Sequence, residues 1–192
     1  MIKKLIIFHG LGKKSADEWY QTLARTAENM GYKSSIPDLP SSAKPNLELT
    51  YRMTTKDYQL NSNTTLVGHS SGAVLILGIL QKLPPNIVID KVILIAGFVD
   101  PFLTDQLHSY VPRKDYAALF PQTWEWKKIK KSAKSFVIIY SSNDPYVQSR
   151  HALELHTHLG GQIVKIPNAG HFGISTGGEK FKKFEKLLDY LQ

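Results

Sequence analysis

The 192-residue chain contains no cysteine, and that absence removes several chemistries together. A disulfide framework, a thiolate zinc site, an iron-sulfur cluster and a cysteine nucleophile are all excluded, so any nucleophile is an oxygen or a lysine. Long apolar runs are missing too. The longest, Ala73 to Leu80 and Val92 to Val99, fall well short of the roughly 18 residues that a membrane span requires. The Met1-Ile2-Lys3-Lys4 start has the charge of an export leader, but the apolar run behind it, Leu5 to Phe8, is too short for one. The expectation is a soluble, cytoplasmic protein with no membrane partner. Internal repeats, low-complexity tracts and linkers are also lacking.

Acidic residues are the scarcer charge, 16 Asp and Glu against 24 Lys and Arg, which leaves a net charge of +8. Such a balance raises the question of a nucleic-acid partner. The lysines gather mainly in two clusters, Lys127, Lys128, Lys130, Lys131 and Lys134, then Lys180, Lys182, Lys183 and Lys186. Each lies on a segment whose apolar residues recur at helical spacing, so both read as solvated helix faces. With no finger, RNP or helix-turn-helix signature beside them, no nucleic-acid partner is expected.

Hydrophobic residues make up 42% of the chain and aromatic residues 10%, enough to build a core and to exclude disorder as the main state. The length predicts one domain over residues 1–192. Strand-like runs occupy Lys4 to Phe8, Lys33 to Ile36, Thr64 to Val67, Lys91 to Ala96, Ser135 to Tyr140 and Gln162 to Ile166. Helical patterns lie between and after them, at Ser15 to Met30, Ser71 to Leu83, Val147 to Leu159 and Glu179 to Leu191. Ser15 with Glu18 reads as a capping box, while Gly31 and Pro84-Pro85 read as helix stops. The alternation predicts an α/β fold, a mainly parallel sheet with helices on both faces. Residues 97–134 break the rhythm with Pro101, Pro112, Pro121 and many aromatics, and this long connection reads as a small lid.

The chemistry concentrates at Val67-Gly68-His69-Ser70-Ser71-Gly72-Ala73, a Gly-x-Ser-x-Gly pattern between a strand and a buried apolar helix. That context is the nucleophile elbow: glycines two residues to either side let the backbone turn tightly and present the serine hydroxyl. Ser70 is the candidate nucleophile. The amide of Ser71, at the positive end of the following helix, is a candidate oxyanion donor. A serine needs a base and an orienting acid, and in this fold they follow in the order Ser, Asp, His at the ends of later strands. Asp144 follows the strand ending at Tyr140 and His171 follows the strand ending at Ile166, which predicts a Ser70–His171–Asp144 triad. Asp100, also after a strand and before a proline, reads as a lid-loop residue. The first strand ends in His9-Gly10-Leu11-Gly12, and the amide of Leu11 is the expected second oxyanion donor.

Two rival sites are weaker. Gly12-Lys13 after a strand suggests a phosphate loop, but Ile7 stands where its first glycine belongs and Lys14 where its magnesium-binding hydroxyl belongs. His151, Glu154, His156 and His158 lie close in sequence, yet neither His151 with His156 nor His156 with His158 has the i, i+4 spacing that shares a helix face. Neither a metal nor a cofactor is expected.

Gly68 to Ala73, Trp124-Glu125-Trp126-Lys127-Lys128-Ile129-Lys130, Ser142-Asn143-Asp144-Pro145 and Gly170-His171-Phe172 together resemble the small serine hydrolases of the retinoblastoma-binding-protein type, which include YdeN-like bacterial proteins. The resemblance covers nearly the whole chain. It implies a reduced α/β-hydrolase fold, a triad on Ser70, Asp144 and His171, and hydrolysis of carboxylic esters or peptide bonds. The retinoblastoma pocket is not carried over as a partner, because the motif credited with that binding contains a cysteine. The expected activity is cofactor-free hydrolysis of small carboxylic esters through an acyl-enzyme. Two alternatives stand beside it: an aminopeptidase-like hydrolase of short peptides, and a non-catalytic interaction module on the same fold. A free-amine specificity would need a carboxylate such as Asp100, Asp105 or Asp115 facing the pocket.

Overall fold

Alternate residues of each central strand face opposite ways, so a strand buried on both sides is apolar at most positions. A computed structural model, which describes residues 2–17, 19–39 and 45–191, shows the consequence. Strands β1 (Lys3–Phe8), β2 (Tyr32–Ser35), β3 (Thr64–His69), β4 (Ile89–Ile95), β5 (Ala133–Ser141) and β6 (Gln162–Ile166) form one parallel sheet in the order β2-β1-β3-β4-β5-β6. Ile6, Phe8, Leu66, Val92, Leu94, Phe136 and Ile138 enter the core on one face. Leu5, Ile7, Val67, Ile93, Ile95, Val137 and Ile139 enter the core on the other.

The helices that cover these faces are α1 (Tyr20–Asn29), α2 (Leu47–Asp57), α3 (Ser71–Lys82), α4 (Asp105–Tyr110), α5 (Trp126–Lys131), α6 (Ser149–Leu159) and the single turn α7 (Ile174–Gly177). Helix α3 is buried without interruption from Ser71 to Leu80, and for that reason its sequence is apolar all round rather than amphipathic. Among the described residues no helix is long and apolar enough to cross a membrane.

Three expectations change. Helix α1 starts at Tyr20 rather than Ser15, its N-cap is Trp19 and no side chain caps it; the Ser15 amide instead donates to Asp38 Oδ1 at 3.2 Å. Glu18, the other half of the expected capping box, lies outside the described residues. The helix expected over Glu179 to Leu191 is instead two 3-10 segments, Glu179–Lys182 and Glu185–Tyr190. Phe184 between them takes a left-handed φ of 37°, which ends any helix, while Phe181, Phe184 and Leu187 stay buried against the sheet. The second lysine cluster therefore lies on 3-10 turns. Helix α2 had no counterpart among the expected elements. Its N-cap is Asn46, whose Oδ1 accepts from Leu49 N at 2.9 Å.

The strand order reverses direction between β1 and β3, since the chain moves from β1 outward to β2 and then returns to β3 on the other side. Open α/β sheets carry their sites at such a switch point, outside the carboxyl ends of the two strands. Here those ends are Phe8 and His69, with Phe8 opposite Gly68 in the register.

Candidate active site

At the end of β3 the backbone turns sharply into α3, and Ser70 sits at the corner with φ 56° and ψ −122°. A non-glycine residue there is strained, and such strain persists only where surroundings over-determine it. They do so here. The Ser70 amide donates to Ile95 O at 2.8 Å and its carbonyl accepts from Ala73 N at 3.0 Å. A Cβ on Gly68 would stand 2.7 Å from Ala73 N, and one on Gly72 would strike the Phe8 carbonyl oxygen. Both glycines are thus required by close backbone approach, which is the physical content of the motif. Ser71 opens α3, so its amide has no acceptor within the helix.

The loops that carry Asp144 and His171 come together beside this corner. His171 Nδ1 lies 2.7 Å from Asp144 Oδ2. The other carboxylate oxygen, Oδ1, accepts from Tyr146 N at 2.8 Å and Val147 N at 3.0 Å. Three bonds therefore fix a carboxylate that is only 3% exposed, and they orient His171 with Nε2 left over for another partner. The Tyr146 ring meets the His171 ring edge-on at 5.1 Å. Asn143 ties the two loops together: its Oδ1 accepts from Ser141 Oγ at 2.7 Å and from Gly170 N at 3.0 Å. Ser141 Oγ also accepts from Ala169 N at 3.1 Å.

Leu11, Ser70, Ser71 and His171 line one narrow cavity of about 20 Å³, whose remaining wall is Phe98, Leu103, Leu107, Tyr116, Tyr146 and Val147. Larger concavities lie elsewhere, one among Lys4, Lys33, Lys56 and Tyr58, but they hold none of the candidate groups. Gly10 N–H is engaged by Tyr20 Oη at 3.4 Å, so the neighbouring Leu11 is the residue of this loop that meets the cavity. Asp100 is turned away to Arg150, which grips it through Nη1 at 2.8 Å and Nη2 at 2.9 Å. Burial raises the Asp100 pKa, but the guanidinium and the Phe102 amide outweigh it and hold the carboxyl below its usual range.

The connection over residues 97–134 forms one wall of the cavity. It is tied back by Thr104 Oγ1, which donates to Pro145 O at 2.6 Å, and it is closed on itself by Trp124 Nε1, which donates to Val99 O at 2.7 Å. His151 is buried, and its Nδ1 accepts from Val99 N at 3.4 Å. Burial, with Arg150 beside it, pushes its pKa down to about 4. Among the described residues no three metal-ligating side chains cluster.

Residues 5–190 match the family model described as Serine hydrolase. The chain belongs to the serine hydrolase family. The YdeN hydrolase of Bacillus subtilis is 28% identical over 174 residues, covering 90% of this chain and 87% of that protein. The crystal structure of the ydeN gene product superposes with a TM-score of 0.86 at 25% identity, covering 98% of this chain and 96% of that one. Serine hydrolase RBBP9 of Rattus norvegicus is 23% identical over 184 residues, covering 94% of this chain and 91% of that protein. The fold is an α/β-hydrolase fold. It is shared with carboxylesterase CesB of Bacillus subtilis, which superposes with a TM-score of 0.67 at 17% identity over 98% of this chain and 83% of that one; at that identity the likeness concerns the fold alone.

Tyr20, His69, Ser141, Asn143 and Tyr146 also belong to this site, beyond the residues expected from the motifs. Four of the five lie within or next to the quoted motifs, and proximity to them was the available signal. Tyr20 carries none, because it reaches the site across the fold from α1.

Proposed function

We propose that this serine hydrolase cleaves small carboxylic esters through an acyl-enzyme on Ser70, with His171 as base and Asp144 as its orienting acid. The Asp144–His171 bond of 2.7 Å, made by a pair whose histidine shares a cavity with an elbow serine, carries the reading. Ser70 Oγ attacks the ester carbonyl carbon and gives its proton to His171 Nε2. The carbonyl oxygen becomes an oxyanion, and the amides of Leu11 and Ser71 donate to it. Collapse breaks the bond to the leaving oxygen, which takes the proton from His171 and departs as the alcohol. A water then adds to the acyl-enzyme, His171 takes its proton, and release of the acid returns the proton to Ser70.

The cavity supports esters over peptides. Among the described residues its lining includes no carboxylate, so the ammonium group of a peptide N-terminus would have no counter-charge there. A lining of this kind suits an uncharged acyl group, and a cavity of only about 20 Å³, space for about one water, favours short acyl chains. The test is labelling by a serine-directed fluorophosphonate together with kcat/KM for p-nitrophenyl acetate, butyrate and palmitate. Labelling at Ser70 alone, its loss in Ser70→Ala and a preference for the shorter esters are expected. Labelling that survives Ser70→Ala would overturn the nucleophile, and a preference for palmitate would overturn the pocket argument.

A further inference from the structure

His69 precedes the candidate nucleophile, is 2% exposed, and has no part in the proton path above. Burial, with the neighbouring His171, lowers its pKa well below 6.5, so near neutral pH its ring carries a single proton. Its partners decide which nitrogen holds that proton. Nε2 lies 2.9 Å from the His171 carbonyl oxygen, which can only accept, so the proton is on Nε2. Nδ1 is then an acceptor, and Tyr20 Oη, 2.7 Å away, donates to it. The lone pairs of Oη remain for a donor, the Gly10 amide at 3.4 Å.

The hydrogen bonds thus run in one direction, from the Gly10 amide through Tyr20 and His69 to the His171 carbonyl. They begin in the loop that carries Leu11, pass through α1 and the elbow, and end on the backbone of the residue whose ring is to act as base. Trp19, beside Tyr20, adds a parallel tie by donating Nε1 to Phe172 O at 2.9 Å. The His171 loop needs such ties, because Asn168, Gly170 and Phe172 have φ of 53°, 53° and 55°, a conformation disfavoured for the two non-glycine residues. A core histidine with satisfied nitrogens would need partners of some kind. Here the bonds lead to the two loops that flank Ser70. The His69 and His171 rings are 5.0 Å apart, so a neutral His69 also spares the imidazolium forming on His171 a like-charged neighbour.

We propose that Tyr20 and His69 are positioning residues, which hold the His171 backbone and the Gly10–Leu11 loop in register with Ser70. Their effect on rate rests on the reading of Ser70 as nucleophile and His171 as base. Tyr20→Phe and His69→Phe remove the hydrogen bonds while keeping most of the shape, and His69→Gln keeps one donor and one acceptor.

Two readouts test the proposal in the full chain: the rate constant for fluorophosphonate labelling of Ser70, and the downfield proton NMR signal of His171 Nδ1–H bonded to Asp144. Misplacement of reacting groups by about 1 Å costs up to about 100-fold. Tyr20→Phe and His69→Phe should therefore label about 10- to 100-fold more slowly, with the Nδ1 signal broadened or shifted, and His69→Gln should restore both. Folded Phe variants that label at the wild-type rate and keep the signal would overturn the proposal. So would losses that follow the thermal midpoint in all three variants. If the wild type is not labelled at Ser70, the reading of the nucleophile falls, and the NMR signal alone decides the positioning role: loss in His69→Phe with recovery in His69→Gln supports it, and retention in both overturns it.

Discussion

The elbow and the connection over residues 97–134 meet at one cavity but are built in opposite ways. Around Ser70, backbone presses on backbone. Gly68 and Gly72 have no room for a Cβ, and α3 is buried from Ser71 to Leu80. The connection is made of short pieces, α4 and α5 with two 3-10 turns between them, and it leaves Phe102 59% and Tyr110 72% exposed. It is fastened mainly by side chains, through Thr104 to Pro145 and Arg150 to Asp100, beside one backbone bond from Thr104 N to Tyr146 O at 3.2 Å. A rigid corner suits groups that must stay in place during bond making. A wall fastened by side chains can change its residues without disturbing that corner, which suits the part that would select the acyl group in the proposed reaction.

The contrast is sharpest in the two aspartates. Asp144→Asn should lower kcat by about 10⁴-fold with the fold intact, because an amide favours the wrong imidazole tautomer. Asp100→Asn, which only loosens the Arg150 grip on the connection, should cost less than about 10-fold. Kinetics on both variants, with circular dichroism as the control for folding, check this, and a reversal of the two effects would move the acid to the loop after β4.

The glycines come next. Gly72→Ala should destabilise the protein by about 3 kcal/mol, as overpacking against backbone does. Gly12→Ala, at a φ of +66° but with nothing within 4 Å of the added Cβ, should cost only about 1 kcal/mol of backbone strain. Denaturant titration of both proteins measures the difference.

Acid should weaken both regions. His69 in the elbow and His151 under the connection are held neutral, with folded pKa values below 6.5 and that of His151 about 4. As pH falls below about 6.5 the unfolded chain binds protons that the folded chain refuses, so their stabilising contribution is present above 6.5 and lost on the way down. For His151 the loss ends near pH 4 and amounts to about 3 kcal/mol. Unfolding midpoints at pH 7, 5.5 and 4 in His151→Gln and wild type should converge as pH falls.

The smallest effect concerns selection. Tyr116 lines the cavity, packs edge-on against Phe98 at 6.2 Å, and its hydroxyl meets His108 Nε2 at 2.8 Å. Tyr116→Ala should shift the kcat/KM ratio of octanoate to butyrate esters upward by about 10-fold, the worth of one or two methylenes in an apolar pocket. An unchanged ratio would remove Tyr116 from the acyl wall.

The sheet was the most legible part of the fold. Runs rich in Ile, Val or Leu announce the four inner strands, because a central parallel strand is apolar on both faces, whereas the edge run Lys33 to Ile36 has only one such residue. Helix α2 was hidden by its composition: Leu47-Glu48-Leu49-Thr50-Tyr51-Arg52 follows Pro45 and mixes polar with apolar residues. Its buried face holds only Leu47, Thr50 and Thr54, two of them threonines. The C-terminal segment misled in the other direction. Phe181, Phe184 and Leu187 recur every three residues, a spacing that an α-helix and a 3-10 turn both satisfy, and the left-handed Phe184 that separates two 3-10 turns has no sequence mark. At the candidate site, Ser70, Asp144 and His171 stood out because each follows a strand, and the structure joins the latter two through the His171 Nδ1–Asp144 Oδ2 contact.

By itself the sequence determined what is local: which runs are strands, where the backbone must turn through Gly68 and Gly72, and in which order the candidate groups follow them. Short-range sterics and hydrophobic alternation act between near neighbours and leave a periodic trace. Only the tertiary structure decided that Tyr20 meets His69, that the His69 proton sits on the nitrogen facing His171, and that Asp100 belongs to Arg150 while Asp144 belongs to His171. Those pairings join residues 27 to 102 positions apart. They exist because one sheet brings the carboxyl ends of its strands to a single edge, a proximity that leaves no periodic trace along the chain.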